Sequence, residues 1–475
     1  MDNHDWLDRT RNALWHPCTQ MKQLEAMPPL PIARGQGPWL VDYDGKRYLD
    51  AVSSWWVNLF GHAEPRINAA ITDQLNRIEH VILAGCTHAP VVELSERLAR
   101  LTGLGHAFYG SDGASATEIA LKMSFHFWRN SGRPAKTGFV SLKNGYHGET
   151  LGALSVTDVA LFKDTYAPLL RHSHQAMSPD WRLAEPGESA EAYALRAAAD
   201  LEAHLAAHAE TTAAVIIEPL VQGAAGMAMH HPAYLGRVRA LCDRYGVHLI
   251  ADEIAVGFGR TGTMFACEQG GPDSVPSETA GAGGGAGPAQ VGRLSQSLVA
   301  DKRQTAAVAQ AGIRPDFICL SKGITGGYLP LSAVLTRDEI YAAFYDDDTA
   351  RGFLHSHSYT GNPLACRAAL AVLDIFEQDH VIAANRVRTA RFTEILDEVR
   401  AHPRVRHFRN AGMIWAFDVA EAPAGFSHRF HDQALAKGVF IRPIGNTVYF
   451  MPPYVIEEPE MRLMAATTLD ILQTI

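Results

Sequence analysis

Apolar runs of strand length alternate with segments of helical period through the middle of the chain. Residues 138–142, 213–217, 247–251, 317–320 and 331–336 read as strands, several of them apolar throughout. Between such runs Ile119, Ala120, Met123 and Phe127 recur at helical spacing, which predicts a helix over 115–128. This alternation predicts an α/β fold with a large, mostly parallel sheet covered by helices. Both chain ends differ. After a helix expected over 363–378, residues 413–419 and 439–442 read as strands, and Gly445-Asn446 reads as a hairpin turn into 448–451. Residues 37–49 read as another hairpin, around Asp44-Gly45. The two ends are expected to build a smaller α+β domain, from 1–75 and 351–475, beside a large domain over 76–350. Residues 270–310 break the pattern. They are rich in Gly, Ala and Ser without an aromatic residue, and are expected to be a flexible insertion with a short helix near 294–308.

Composition narrows the function. The 475 residues are 47% hydrophobic and 20% charged, as in an ordinary globular protein. A net charge of -9 argues against a nucleic-acid partner, which needs clustered Lys and Arg. No apolar stretch reaches membrane-spanning length, and the polar N-terminus lacks the pattern of a secretory signal. Six scattered cysteines predict reduced thiols and a cytoplasmic setting. The 22 histidines lack Cys or Glu companions at ligand spacing, so no metal site is expected.

The chemistry lies where apolar runs end. One run delivers Lys322 onto a glycine-rich turn, and another delivers Asp252. A lysine and a carboxylate, each at the C-terminal end of a parallel strand, fit the two ends of pyridoxal 5′-phosphate. The amine can form a Schiff base with the aldehyde, and the carboxylate can keep a proton on the ring nitrogen. Gly113 and Ala114 open a helix after a strand, where a phosphate is favoured. Tyr146, in a loop after a strand, can stack on a planar ring. Glu218 and Arg260 are expected near the same edge, either shaping the site or forming a structural ion pair.

With these residues in place, the chain resembles the class III pyridoxal-phosphate aminotransferases, which have the type I fold. The resemblance rests on residues 251–262 and 320–331 and on Ser358-Tyr-Thr-Gly-Asn-Pro-Leu-Ala-Cys366. The insertion falls between the first two stretches. Finer motifs resemble the branch that moves an amino group from S-adenosylmethionine to 8-amino-7-oxononanoate in biotin synthesis. They include Leu14-Trp-His-Pro-Cys-Thr-Gln-Met21, the Trp55-Trp56 pair and Ile441-Arg-Pro-Ile-Gly445. The resemblance implies a homodimer with its active site at the subunit interface. It assigns Lys322, Asp252 and Tyr146 to catalysis, and Gly113, Ala114, His357 and Ser358 to the phosphate, the last two across the interface. Cys18, Trp55, Trp56, Arg260, Ser356 and Arg442 are assigned to substrate.

Three positions depart from the pattern. Ala114 stands where many relatives carry serine, which removes a hydroxyl donor. Ser358 replaces the usual threonine and keeps its hydroxyl. Cys18 stands where some relatives carry a recognition tyrosine, which leaves the donor open between S-adenosylmethionine and lysine. Other readings also stay open: a different ω-aminotransferase acting on ornithine, γ-aminobutyrate or diamines, an aminomutase, and a non-catalytic cofactor-binding module.

Overall fold

The fold is that of a computed structural model describing residues 1–270 and 312–474. Apart from Gly270, the insertion expected over 270–310 lies outside the described residues. The central sheet has seven strands: β1 (His106–Gly110), β2 (Gly138–Leu142), β3 (His174–Ala176), β4 (Thr212–Ile217), β5 (His248–Asp252), β6 (Phe317–Leu320) and β7 (Ser332–Thr336). Their spatial order is β1-β7-β6-β5-β4-β2-β3. β7 runs antiparallel to both its neighbours, and every other pairing is parallel. The fold class is α/β, of the type I pyridoxal-phosphate transferase kind.

β4, β5 and β6 are buried along their whole length. Both faces of the sheet are covered, so these strands read as unbroken apolar runs rather than alternating ones. Successive residues still point to opposite faces. Ile216, Ile250 and Phe317 pack with Ile119, Ala120 and Met123 of the helix Gly113–Asn130. Val215 and Leu249 pack on the other side against Leu201 and Val238. The helix starts two residues earlier than expected because Asp112 caps it, its carboxylate accepting from the N–H and hydroxyl of Ser115 at 2.9 Å each.

The two chain ends share a four-stranded sheet of Ile32–Gln36, Trp39–Asp42, Arg47–Asp50 and Val439–Phe440. A three-stranded antiparallel sheet follows, from Val405–Ala411, Ile414–Val419 and Thr447–Phe450. Both expected turns use a left-handed glycine, Gly45 at φ +88° and Gly445 at φ +58°, but only the first joins paired strands: Val439–Phe440 pairs with Arg47–Asp50, and Thr447–Phe450 with Ile414–Val419. The strand expected over 439–442 ends at Phe440, shortly before Pro443, which has no N–H to pair. Among the described residues no helix is long and apolar enough to cross a membrane.

Candidate active site

Parallel register brings the chemistry together. Asp252 lies opposite Cys319, and Ala251 lies opposite Ile217. The chain therefore leaves β4 at Glu218, β5 at Asp252 and β6 just before Lys322, side by side at one edge. β1 and β2 end at that edge too, followed by Ser111-Asp112 and Tyr146-His147. With Trp56, Gly113, Ala114, Gly148 and Glu149 these residues line a cavity of 610 Å³. Open α/β sheets form their ligand crevices at this edge.

Asp252 is almost excluded from solvent. Its carboxylate accepts from His147 Nδ1–H at 2.7 Å and from the N–H of Ile254 at 3.1 Å. Among the described residues the other ring nitrogen of His147, also buried, has no hydrogen-bond partner. Glu218 accepts from the N–H groups of Tyr146 and Gly223, at 2.9 and 3.0 Å. Burial pushes its carboxyl up to about 7; His147 opposes the rise, and the charge of Asp252 adds to it.

Lys322 opens a short turn over Lys322–Thr325 with φ +45°. Its Nζ sits 5.2 Å from the centre of the Trp56 ring. Among the described residues that amine forms no hydrogen bond and no ion pair. Burial holds its pKa below the ordinary lysine value, with Asp252 and Glu218 pulling the other way. The outcome is an amine inclined toward its neutral, nucleophilic form.

At the other end of the cavity stands the N-terminus of the Gly113–Asn130 helix. Among the described residues no partner occupies the N–H groups of Gly113 and Ala114. A Cβ at Gly113 would lie 3.1 Å from Ile254, and one at Gly148 would lie 2.6 Å from the Ala114 Cβ. The small residues thus keep the helix end open to an anion that the dipole also favours. Free backbone donors at one end, a buried carboxylate on the floor and a bare amine beside it match the phosphate, ring nitrogen and aldehyde of pyridoxal 5′-phosphate.

The remaining wall carries the expected Trp55-Trp56 pair, but its conformation was not legible in the sequence. Ser53, Ser54, Trp55 and Trp56 all have positive φ, at 50°, 45°, 73° and 72°. They form a left-handed turn closed by Trp56 N–H to Val52 O at 2.9 Å and Val57 N–H to Ser53 O at 3.0 Å. Such backbone costs about 1–2 kcal/mol per residue. Buried Asp50 offsets part of that cost, accepting from the Ser54 N–H and hydroxyl at 2.9 and 2.7 Å, the Val52 N–H at 3.3 Å and His62 Nε2 at 3.2 Å. The turn sends adjacent tryptophans apart. Trp56 enters the cavity and donates to the Tyr449 hydroxyl at 3.1 Å, whereas exposed Trp55 lies 5.3 Å from the Arg442 guanidinium.

Arg260 does not pair with Glu218. It is buried behind the cavity, donating to the carbonyls of Pro452 at 2.8 Å, Asn58 at 3.1 Å and Trp56 at 3.4 Å. Cys18 lies near Glu149 and Arg442; partial burial and then Glu149 push its thiol up, with Arg442 opposing. Ser356 and Ser358 are exposed. His357 meets Ser111 of its own chain at 3.0 Å. Sequence reasoning missed His147, Glu149 and Ser111. Glu149 accepts from the Tyr146 hydroxyl at 2.8 Å. His147 and Glu149 flank residues that had been singled out, and that adjacency was the available signal. Among the described residues no group of three or more His, Cys, Asp or Glu is arranged to hold a metal.

Known proteins share this chain's sequence pattern and fold. The family model "Aminotransferase class-III" matches residues 20–289 and 304–473. The adenosylmethionine-8-amino-7-oxononanoate aminotransferase of Helicobacter pylori is 41% identical over 97% of this chain and 95% of its own length. A crystal structure of the adenosylmethionine-8-amino-7-oxononanoate aminotransferase from Methanocaldococcus jannaschii superposes with a TM-score of 0.85 at 34% identity, covering 99% of each chain. An (S)-enantioselective ω-transaminase from Thermomicrobium roseum gives 0.86 at 28% identity, again covering 99% of each chain.

Proposed function

The chain belongs to the class-III aminotransferases, and from that premise we propose that it moves the amino group of S-adenosylmethionine to 8-amino-7-oxononanoate, giving 7,8-diaminononanoate for biotin synthesis. The observation that carries the reading is the placement of Lys322 and Asp252 by adjacent strands into one cavity with the open helix N-terminus. Pyridoxal 5′-phosphate, when bound, supplies an aldehyde that captures amino groups and a ring that accepts the electron pair left by a departing α-proton.

The chain's own residues do the rest. Gly113 and Ala114 hold the phosphate through their N–H groups, and His357 stands behind that end. Asp252 keeps the proton on the ring nitrogen, and the Nδ1–H of His147 keeps Asp252 an acceptor. Tyr146 covers the ring, oriented by Glu149. Lys322 would hold the cofactor's aldehyde, and its freed Nζ would be the group that takes the proton from the donor's α-carbon. Trp56 and Trp55 wall the substrate side, and the exposed guanidinium of Arg442 binds a substrate carboxylate. Cys18 and Ser356 are the further substrate contacts that the family pattern implies. Arg260 acts one layer back, holding the carbonyls of Trp56 and Asn58 and so the left-handed turn.

Two copies complete the enzyme. Leu354 and Tyr359, 80% and 66% exposed, flank the exposed hydroxyl of Ser358. A second copy covers them and brings its cavity to that hydroxyl. Sedimentation equilibrium should show a dimer, and a stable monomer with full activity would overturn this arrangement. The cytoplasmic setting is supported by six cysteines, all free.

The test of function uses two additions to the cofactor-loaded protein. S-adenosylmethionine should bleach the cofactor's visible absorbance, and 8-amino-7-oxononanoate should then restore it. Bleaching by lysine but not by S-adenosylmethionine would reassign the donor. No change with either would remove the reading.

A further inference from the structure

Ala114 offers no hydroxyl to the phosphate, yet another hydroxyl lines the same cavity. Ser111 lies two residues before the helix and belongs to the cavity wall. Its Oγ is 3.0 Å from His357 Nδ1. His357 Nε2 is 3.2 Å from His355 Nε2. His355 Nδ1 is 2.8 Å from the Nζ of Lys122. Four side chains thus form a continuous file from the outer face of the Gly113–Asn130 helix to the cavity.

The file has a direction. An ammonium group has only protons to give, so His355 Nδ1 accepts from Lys122. A neutral imidazole then carries its single proton on Nε2, which donates to His357 Nε2. His357 keeps its own proton on Nδ1 and donates it to Ser111 Oγ. That satisfies the oxygen of Ser111 as an acceptor and leaves its own proton free; among the described residues the hydroxyl makes no other hydrogen bond. Neutrality of His355 fits its surroundings. Burial lowers its pKa, Lys122 and His357 lower it further, and only Glu118 opposes. The rings of Phe108 and Phe353 pack against it.

We propose that Ser111 donates its hydroxyl proton to the cofactor's phosphate, and that Lys122, His355 and His357 are positioning residues that aim it. The proposal rests on the phosphate lying at the Gly113-Ala114 helix end, as proposed above. It assigns a donor to the place where Ala114 lacks one.

The test follows retention of pyridoxal 5′-phosphate by the holoenzyme after dilution, read by its absorbance, together with the ³¹P resonance of the bound phosphate. Ser111→Ala should weaken retention about tenfold, the scale of one hydrogen bond to an ionised group. Ser111→Thr should keep it. Lys122→Met, at an exposed position, should weaken retention by about threefold and shift the ³¹P resonance, whereas Lys122→Arg should do neither. Lys122→Met should cost nothing further in the Ser111→Ala protein. Wild-type retention in Ser111→Ala would overturn the donor assignment while leaving the proposed function standing. An undiminished Lys122→Met loss in the Ser111→Ala protein would overturn the relay. Failure of the parent protein to retain any cofactor would instead sink the premise.

Discussion

The two walls of the cavity are built by opposite means. The sheet edge is regular. Glu218, Asp252 and Lys322 follow three buried parallel strands, and register alone sets them side by side. The facing wall is irregular. Ser53–Trp56 coils left-handed, against the preference of every L-residue in it, and is held by the carboxylate of Asp50 and the guanidinium of Arg260. The regular wall carries the two carboxylates and the amine, groups that need a fixed place. The strained wall carries rings that shape what enters. Rigidity thus comes from hydrogen-bonded strands on one side and from a buried polar clamp on the other, and the two should fail differently.

The sharpest break in the comparison is at Lys322. Lys322→Ala should lower turnover by at least about 10³-fold, because the proton-transferring amine is gone. Stability should stay level or rise, since a desolvated amine without a hydrogen bond contributes little to folding. Stopped assays and a denaturant titration check both halves. A variant with near-normal turnover would displace Lys322 from the mechanism. At Asp50 the order reverses. Asp50→Ala removes four hydrogen bonds from one buried carboxylate and should cost about 3 kcal/mol of stability. KM should rise more than kcat falls, because Trp56 loses its seat rather than its chemistry. A loss below about 1 kcal/mol would mean that the turn holds itself.

This contrast also explains what could be read in advance. Strands buried on both faces announce themselves as apolar runs, so Asp252 and Lys322 stood out as polar residues where such runs stop. The helix at Gly113 was visible from its period and its glycine. The left-handed turn had no such signal, because Val-Ser-Ser-Trp-Trp carries no glycine where positive φ occurs. Its conformation is imposed by Asp50 and Arg260, the latter some 200 residues away in sequence. The Glu218–Arg260 pairing was considered because both were expected at one edge. Arg260 instead turns toward backbone carbonyls, and Glu218 toward two N–H groups. His147 was set aside among many histidines, and only register places it under Asp252.

Glu218 offers a way to sharpen the comparison through pH. Folding raises its pKa from 4.5 to about 7, so the native state binds this proton more tightly than the unfolded chain. Its stabilising contribution is therefore present below 4.5 and lost as pH rises through 7. At roughly 1.4 kcal/mol per unit, the loss is at most about 3.5 kcal/mol. Glu218→Gln removes that dependence. The amide can accept from only one of the Tyr146 and Gly223 N–H groups, which adds a constant cost of about 1–2 kcal/mol. The variant should thus gain on the parent protein between about pH 5 and about pH 8. Parallel stability curves would show that Glu218 ionises normally.

The smallest effect on folding is expected at Trp55, where the strained wall meets solvent. Its φ of 73° and ψ of 46° suit asparagine better than tryptophan. Trp55→Asn should relieve strain by up to about 1 kcal/mol and remove a ring–guanidinium contact worth about 0.5–1 kcal/mol. The two nearly cancel, so the unfolding midpoint should barely move. Binding should not be spared. Without the ring 5.3 Å away, Arg442 loses the stacking contact that orients its guanidinium. The KM for 8-amino-7-oxononanoate should then rise several-fold, in line with the loss of one such contact, at constant kcat. If stability fell by more than about 1.5 kcal/mol, Trp55 would be part of the clamp and not its cargo. If KM stayed unchanged, Arg442 would not depend on the turn, and the strained wall would end at Trp56.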